Sequence, residues 1–384
     1  MVDIDRRMLS LLDKALRKVD RKALGRALSD AVTVPLLVGQ KLTQPVLVAG
    51  HEVLRRVPWE AILDARSEDQ RAQNRVVYDF FSGIAPEIAH PGGALPEANQ
   101  WDSPLNPEHP IPVILVHGTA GGGQTNWGTY VPLLTEAGYS VFTLTYGAVE
   151  HSNWPISALG GMRRIEVSAA EFGAFVEQVL EATGAEQVDV VGHSQGTLVP
   201  NYWAKFLGGE GKIRKYISLA PLWEGSAALD GTKHAMATLR TRLGIDPSLV
   251  VPCEALPQMM DGSPFIKKMN SGGSPYLPGI EYTNISTMHD ELVRPYTSGQ
   301  VPGPEGTTVH NIVVQDGCAK DLSDHLGICG SRRAAAFVLN ALDDEPDRVV
   351  PCDLVAPFFG SSLRSRTGGA PEFIKPFATT TRRQ

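Results

Sequence analysis

The segment of this sequence best equipped for chemistry is Gly192-His193-Ser194-Gln195-Gly196. It follows a short apolar run, Val188–Val191, and precedes a stretch that reads as a helix, Thr197–Leu207. A G-x-S-x-G pentapeptide between a strand and a helix is a nucleophile elbow. The reason is steric. So sharp a turn strains the backbone of the serine and exposes its hydroxyl, and the residues two places away on either side must lack side chains to avoid collision. The helix that follows points N–H groups at the same spot and favours a developing anion. Ser194 is therefore the candidate nucleophile for acyl transfer.

An acyl-transfer serine needs an oxyanion hole. One donor is the N–H of the next residue, Gln195. The other should come from the loop after an early strand. The apolar run Pro112–Val116 leads directly into His117-Gly118-Thr119-Ala120-Gly121-Gly122-Gly123. Its glycines let backbone approach a substrate closely. Thr119 is assigned as the second donor, through its N–H and also its hydroxyl. Read as a phosphate cradle instead, the loop would need G-x-x-x-x-G-K-[ST] or G-x-G-x-x-G, and neither is present.

The serine also needs a base, and the base an orienting carboxylate. In α/β-hydrolases the chain order is serine, acid, histidine. Of ten histidines, four lie beyond the elbow: His234, His289, His310 and His325. His325 follows the last apolar run, in Asp321-Leu322-Ser323-Asp324-His325-Leu326-Gly327, where the base is expected. His310 lies inside a strand, His289 directly precedes the best acid, and His234 has no carboxylate of its own in a fitting loop. Asp290 opens the loop after Tyr282–Thr287 and is the candidate acid. Glu291, Asp321 and Asp324 are its rivals, each otherwise read as a solvated loop acid. A neutral His325 near the ordinary imidazole value of about 6.5 would suit base catalysis at neutral pH.

These residues must be held by a scaffold. Short apolar runs of the kind found in buried parallel strands occur at Pro112–Val116, Ser140–Tyr146, Val188–Val191, Tyr216–Ala220, Tyr282–Thr287 and Val309–Val314. Helical stretches separate several of them, such as Val167–Thr183, with Phe172, Phe175, Val176, Val179 and Leu180 on one face. Strand, helix, strand in alternation predicts an α/β fold with a mostly parallel central sheet and helices on both faces. Residues 84–112, rich in Pro, Gly, Asn and His, read as an extended loop. Residues 3–32 read as an amphipathic helix with a basic face.

Composition narrows the function further. The chain has 384 residues, of which 42% are hydrophobic and 20% charged, an ordinary globular balance. A net charge of −7 leaves no basic footprint, so no nucleic-acid partner is expected. No run of 18 apolar residues occurs, so no transmembrane span is expected; the nearest candidate, Val34–Gly50, contains Lys41, two glutamines and two prolines. The chain opens without a clear signal peptide. Its four cysteines permit two disulfides without requiring them.

Taken together, the motifs resemble those of the secreted triacylglycerol lipases of actinobacteria, within the α/β-hydrolase superfamily, and more distantly fungal lipase B. The likeness runs from Asn99 and Trp101 through His109-Pro110, Pro112–Thr119, Asn126-Trp127 and Gly138-Tyr139 to the elbow. It continues through Leu219-Ala220-Pro221, Gln258, Gly262-Ser263, Tyr282-Thr283, Thr287–Tyr296 and Gln315–Cys318 to His325, covering about residues 95–345. It implies Ser194, Asp290 and His325 as the triad and Thr119 and Gln195 as oxyanion donors. It implies ester hydrolysis through an acyl-enzyme, without metal or cofactor, on a lipid or other acyl ester, with contact at a lipid–water interface. It also implies a secreted or cell-envelope location. By analogy with the fungal lipase, Cys318 would pair with Cys352, leaving Cys253 and Cys329 free or joined to each other. Cysteines usual in these lipases near Ser103, Ser140 and Leu256 are absent, which weakens the argument for secretion. His193 stands where the fungal lipase has a tryptophan beneath its pocket.

The expected organisation is a helical and extended N-terminal segment (1–108), a catalytic domain (109–345) and a C-terminal extension (346–384). The insertion at 222–280 is too long for a plain loop and reads as a cap or lid. Met236, Leu239, Leu243, Met259, Met260, Phe265 and Ile266 supply its apolar material. Trp223, Met259, Met260, Leu326 and Ile328 are candidate substrate-binding walls. The expected function is a serine carboxylic-ester hydrolase, a lipase or esterase. Two alternatives are an acyltransferase using the same Ser-His-Asp site, and a non-catalytic lipid-binding envelope protein on a hydrolase scaffold.

Overall fold

Six short apolar runs form the centre of the molecule. In the computed structural model, which describes residues 76–149, 154, 156–229, 253–344 and 348–361, they build one sheet. Its strands are β1 (Val113–Val116), β2 (Val141–Thr143), β3 (Val188–His193), β4 (Ile213–Leu219), β5 (Glu281–Ser286) and β6 (Val309–Val313). They lie in the order β2-β1-β3-β4-β5-β6, and every pairing is parallel. The helices are α1 (Ile84–Ala89), α2 (Tyr130–Glu136), α3 (Ile165–Thr183), α4 (Val199–Phe206), α5 (Pro264–Met269) and α6 (Arg332–Asp343).

Successive strand side chains point to opposite faces, so each strand feeds two cores. Ile114, Val116, Phe142, Val188, Val190, Tyr216 and Tyr282 join one core with Phe172, Val176 and Val179 of α3 and Tyr202 and Trp203 of α4. Val113, Leu115, Val141, Val191, Ile217, Leu219 and Ile285 join the other with Tyr130, Val131 and Leu134 of α2 and Val338 and Leu339 of α6. The central strands β1 and β3 are buried along their whole length because both faces are covered, whereas the edge strand β6 leaves His310 and Asn311 exposed. This is the parallel sheet with helices on both faces that the alternation of runs predicted.

The helix ends follow local rules. Helix α3 stops at Gly184, which takes a left-handed φ of 70° and returns its N–H to the Leu180 carbonyl. Ser331 caps α6 by accepting the Ala334 N–H. At the other end of α6, the buried Lys215 ammonium donates to the Ala341 and Leu342 carbonyls and to Asp344.

The chain leaves β1 for β2 on one side and continues from β3 onward on the other. Ligands of open α/β sheets sit at the strand carboxyl ends where the order reverses. Here that place is between β1 and β3, flanked by the glycine-rich loop and the elbow. The loops that carry Asp290 and His325 leave the same sheet edge after β5 and β6.

Two expectations need correction. Residues 84–112 are not loop throughout. A 3-10 turn at Phe80–Gly83, capped by Asp79, leads into α1. Pro86 lies in the first turn of that helix, where its missing N–H costs no hydrogen bond. The second correction concerns 222–280. Phe265, Ile266 and Met269 of α5 are buried in the α3–α4 core, with the Phe265 ring stacked on Tyr202. Residues 253–280 thus belong to the body of the domain, as part of the crossover that a parallel β4–β5 pair requires. Met236, Leu239, Leu243 and His234 lie outside the described residues, as do the 3–32 helix and Val34–Gly50.

Candidate active site

Ser194 directly follows β3 with φ at 53°, the strained conformation expected of an elbow. The flanking glycines are obligatory. A Cβ on Gly192 would lie 2.4 Å from the Gly196 carbonyl oxygen, and one on Gly196 would lie 2.1 Å from the Val116 carbonyl oxygen. A 3-10 turn at Ser194–Thr197 continues into α4, so the N–H groups at its start face the nucleophile.

His325 Nε2 is 2.8 Å from Ser194 Oγ. His325 Nδ1 is 2.8 and 3.0 Å from the two Asp290 oxygens, so its N–H donates to the carboxylate. Nε2 is then left to accept from the serine hydroxyl. Asp290 is itself held by the N–H groups of Leu292 and Val293, both donating to Oδ1. The acid and base loops are stapled together. Thr287 donates its hydroxyl to the Ser323 carbonyl. Gln315 accepts the Met288 N–H and donates to Thr287 and to the Asp321 carbonyl.

The rival acids are not solvated. Asp321, Asp324 and His325 are all buried, and Glu291 is largely so. Asp321 accepts from the Ser323 N–H and the Ser331 hydroxyl, which makes it a loop anchor. Glu291 accepts the backbone N–H of His325 at 3.1 Å. Asp324 accepts the N–H groups of Gly327 and Phe358. Burial pushes the Glu291 carboxyl up to about 7, with the charge of Asp324 adding to it. Burial opposes a charged His325, yet Asp290, Glu291 and Asp324 outweigh it and carry the imidazole up to about 9. This corrects the expectation of a base near its ordinary value. His289 is exposed, and His310 sits on β6 beside Glu281.

The oxyanion loop packs against the elbow. A Cβ on Gly118 would lie 3.1 Å from both Ser194 Cβ and His193 Nδ1. The Thr119 hydroxyl donates to Gln195 Oε1 at 2.7 Å, which joins the two assigned donors to one another. Beneath the loop, His117 donates from Nδ1 to the Gly118 carbonyl and accepts the Tyr146 N–H at Nε2. Burial lowers its pKa to about 4, so it stays neutral.

The predicted pocket walls divide. Met259 reaches the oxyanion loop, its sulfur 3.9 Å from Thr119 Oγ1. Leu326 is half-buried beside His325, and Met260 is buried and bridged to Ser226. Trp223 and Ile328 are corrections. Trp223 packs among Tyr216, Tyr276 and Tyr282 and donates its indole N–H to Asn284. Ile328 is buried in the α2–α6 core. Being near Pro221 or His325 in the chain does not decide which way a side chain points.

Sequence reasoning named Asn126 and Gln315 only as part of the resemblance, without a role, and read Glu291, Asp321 and Asp324 as solvated loop acids. The signal for Glu291 and Asp324 was their position one residue from a triad member. Cys318 and Cys352 form a disulfide, and Cys253 and Cys329 are free and buried. The disulfide pins residues 348–361 against the base loop, where Leu322 also donates its N–H to the Val355 carbonyl. Among the described residues, no cluster of His, Cys, Asp or Glu is arranged to hold a metal ion, and no helix is long and apolar enough to cross a membrane.

Two solved structures and one sequence family are similar to this chain. The chain is similar to Aspergillus fumigatus lipase B at 18% identity and a TM-score of 0.47, over 67% of this chain and 60% of that one. It is also similar to the mature form of the Bacillus licheniformis lipase BlEst2, at 12% identity and a TM-score of 0.40, over 65% of this chain and 94% of that one. The sequence family Lipase (class 2) matches residues 110–325, more than half of the chain and the whole span from β1 to the base. With that match, the chain belongs to the class 2 lipase family.

Proposed function

We propose that this chain is a serine carboxylic-ester hydrolase acting on acylglycerols or related acyl esters through an acyl-enzyme. The observation that carries the reading is the unbroken path from Ser194 Oγ to His325 Nε2, and from Nδ1 to Asp290, at the carboxyl edge of the sheet. His325 takes the hydroxyl proton as Ser194 Oγ bonds to the ester carbonyl carbon. The carbonyl oxygen becomes an oxyanion and is met by the N–H groups of Thr119 and Gln195. His325 then gives its proton to the leaving alcohol as the C–O bond breaks. Water repeats the sequence on the acyl-enzyme, releasing the carboxylic acid and restoring Ser194. Asp290 holds the imidazole in the required tautomer and offsets its positive charge in each half-reaction.

The Thr119 hydroxyl is engaged with Gln195 in the resting site, so in this reading its N–H is the donor available from the start. A secreted or envelope location belongs to the same proposal, supported by the Cys318–Cys352 disulfide.

The test is initial rates on esters from butyrate to an emulsified long-chain triglyceride, with Ser194→Ala as control. We expect turnover by the wild type and a loss of at least about 10³-fold in the variant. No Ser194-dependent turnover on any ester would overturn the reading. Product partitioning toward an added alcohol at low concentration would favour the acyltransferase alternative.

A further inference from the structure

We infer that His193 is a positioning residue that holds the base loop, and with it the catalytic imidazole, by donating from Nε2 to the backbone carbonyl of His325. The inference rests on the reading of Ser194 as an acyl nucleophile. It concerns a contact that the triad itself does not supply.

His193 directly precedes Ser194 and is 2% exposed. Its Nε2 lies 3.0 Å from the backbone carbonyl oxygen of His325. Its Nδ1 lies 3.0 Å from Asn126 Oδ1. Asn126 Oδ1 also accepts the Gly118 N–H at 3.2 Å, and Gly118 adjoins Thr119 in the oxyanion loop. One imidazole therefore lies against the base loop on one side and, on the other, beside the Asn126 amide oxygen that anchors Gly118. It sits on the strand that ends in the nucleophile.

The direction of each contact follows from donor accounting. The Gly118 N–H can only donate, so the Asn126 oxygen must face it, which also turns that oxygen toward His193. The His193 ring thus looks at two oxygens, while a neutral imidazole has a single N–H. Burial, reinforced by the neighbouring His325, holds its pKa down at about 3, so a second proton is not available at neutral pH. Asn126 Oδ1 already has the Gly118 donor. The His325 carbonyl has no other donor among the described residues, and a buried carbonyl without one is costly. The proton therefore belongs on Nε2, donated to His325. With it, His325 is held at three points besides Ser194: its ring by Asp290, its N–H by Glu291 and its carbonyl by His193.

This assignment separates substitutions that look equally conservative. A glutamine amide nitrogen can occupy the place of the imidazole Nε2, so His193→Gln can keep the donor to His325. His193→Phe keeps a planar ring in a pocket that already offers the edge of Phe80, but it has no donor. His193→Asn places its amide near the Nδ1 position and cannot reach the carbonyl.

The experiment measures kcat and KM on a soluble short-chain ester, with the rate of inactivation by a fluorophosphonate, for wild type and all three variants. Expected for His193→Phe and His193→Asn is a fall of roughly tenfold in both kcat and the inactivation rate, with KM unchanged. His193→Gln should recover to within about threefold of wild type. Wild-type values in His193→Phe, or a fall in His193→Gln as deep as in His193→Phe, would overturn the inference. If His193→Phe does not fold, His193→Asn against His193→Gln is judged by the same criteria. A wild-type protein with neither ester turnover nor labelling at Ser194 would instead refute the hydrolase reading beneath it.

Discussion

Replacing Glu291 by glutamine should move the pH profile of this enzyme toward acid. The carboxyl accepts the backbone N–H of His325 at 3.1 Å, and with Asp290 and Asp324 it raises the imidazole to about 9. For a carboxylate one backbone hydrogen bond from the residue, a separation of roughly 6 Å from its ring is the working value. At an effective dielectric of about 20, a unit charge at that distance is worth ~2.8 kcal/mol, or ~2 pH units. Glu291 itself titrates at about 7, below the imidazole at about 9, so it carries its charge where the limb is read. The expected shift is therefore about two units. Glutamine can still accept the His325 N–H, so the geometry is retained while the charge is lost. Removing a negative neighbour lowers the imidazole pKa, and the base becomes available at lower pH. The assay is kcat/KM on a soluble ester from pH 5 to 10. The wild-type acid limb should lie above the ordinary imidazole value of 6.5, and the variant limb about two units below the wild type. A limb that stays put or moves up would refute the electrostatic account. Stability gives a second readout. The Glu291 carboxyl, raised from 4.5 to about 7, is protonated more readily in the folded chain than in the unfolded one. Its favourable contribution is full below about pH 4.5 and lost as pH rises through 7. Glutamine remains neutral throughout, so the variant should melt above wild type at pH 8 and level with it at pH 4.

Two further outcomes test the scaffold. Gly196→Ala would drive a Cβ to 2.1 Å from the Val116 carbonyl oxygen, a backbone atom that cannot swing aside. A loss of at least ~3 kcal/mol in chemical denaturation, or failure to fold, is expected, and near-wild-type stability would refute the steric reading of the elbow. Cys352→Ser opens a disulfide between positions 34 apart. Loop-closure entropy alone puts the cost at ~4 kcal/mol, read by denaturant midpoint, and an unchanged midpoint would show that residues 348–361 are held by their other contacts.

The parts of the site that were legible in the sequence obey local rules. Gly192 and Gly196 report their own steric need, and strand-then-helix patterning around Ser194 marks the elbow. Asp290 and His325 could be picked out because each follows an apolar run, in the order that the topology imposes. What was not legible depends on residues far apart in the chain meeting in space. Asn126 joins His193 across 67 positions, and Gln315 reaches back to Thr287 across 28. An acidic residue in a polar loop looks solvated until the loop is seen to fold inward, which is why Glu291 and Asp324 were misjudged. Trp223 and Ile328 failed for a related reason. Neighbours along a chain can face opposite cores, and no periodicity fixes direction in an irregular loop.

The accumulation of negative groups around one imidazole has a structural counterpart. Three carboxylates this close would repel one another and pay heavily for burial unless each were tied down. Each is. Asp290 gathers the N–H groups of Leu292 and Val293, Glu291 that of His325, and Asp324 those of Gly327 and Phe358. The acids therefore act on the backbone as much as on the imidazole, each drawing a stretch of loop around itself. One consequence reaches past the boundary of the family match at residue 325. The Phe358 N–H that steadies Asp324 comes from the segment held by Cys352, so the geometry of the base is completed by chain more than thirty residues further on. The C-terminal segment is in this sense part of the site's frame. Its substitutions should be read through His325 rather than through the surface on which they lie.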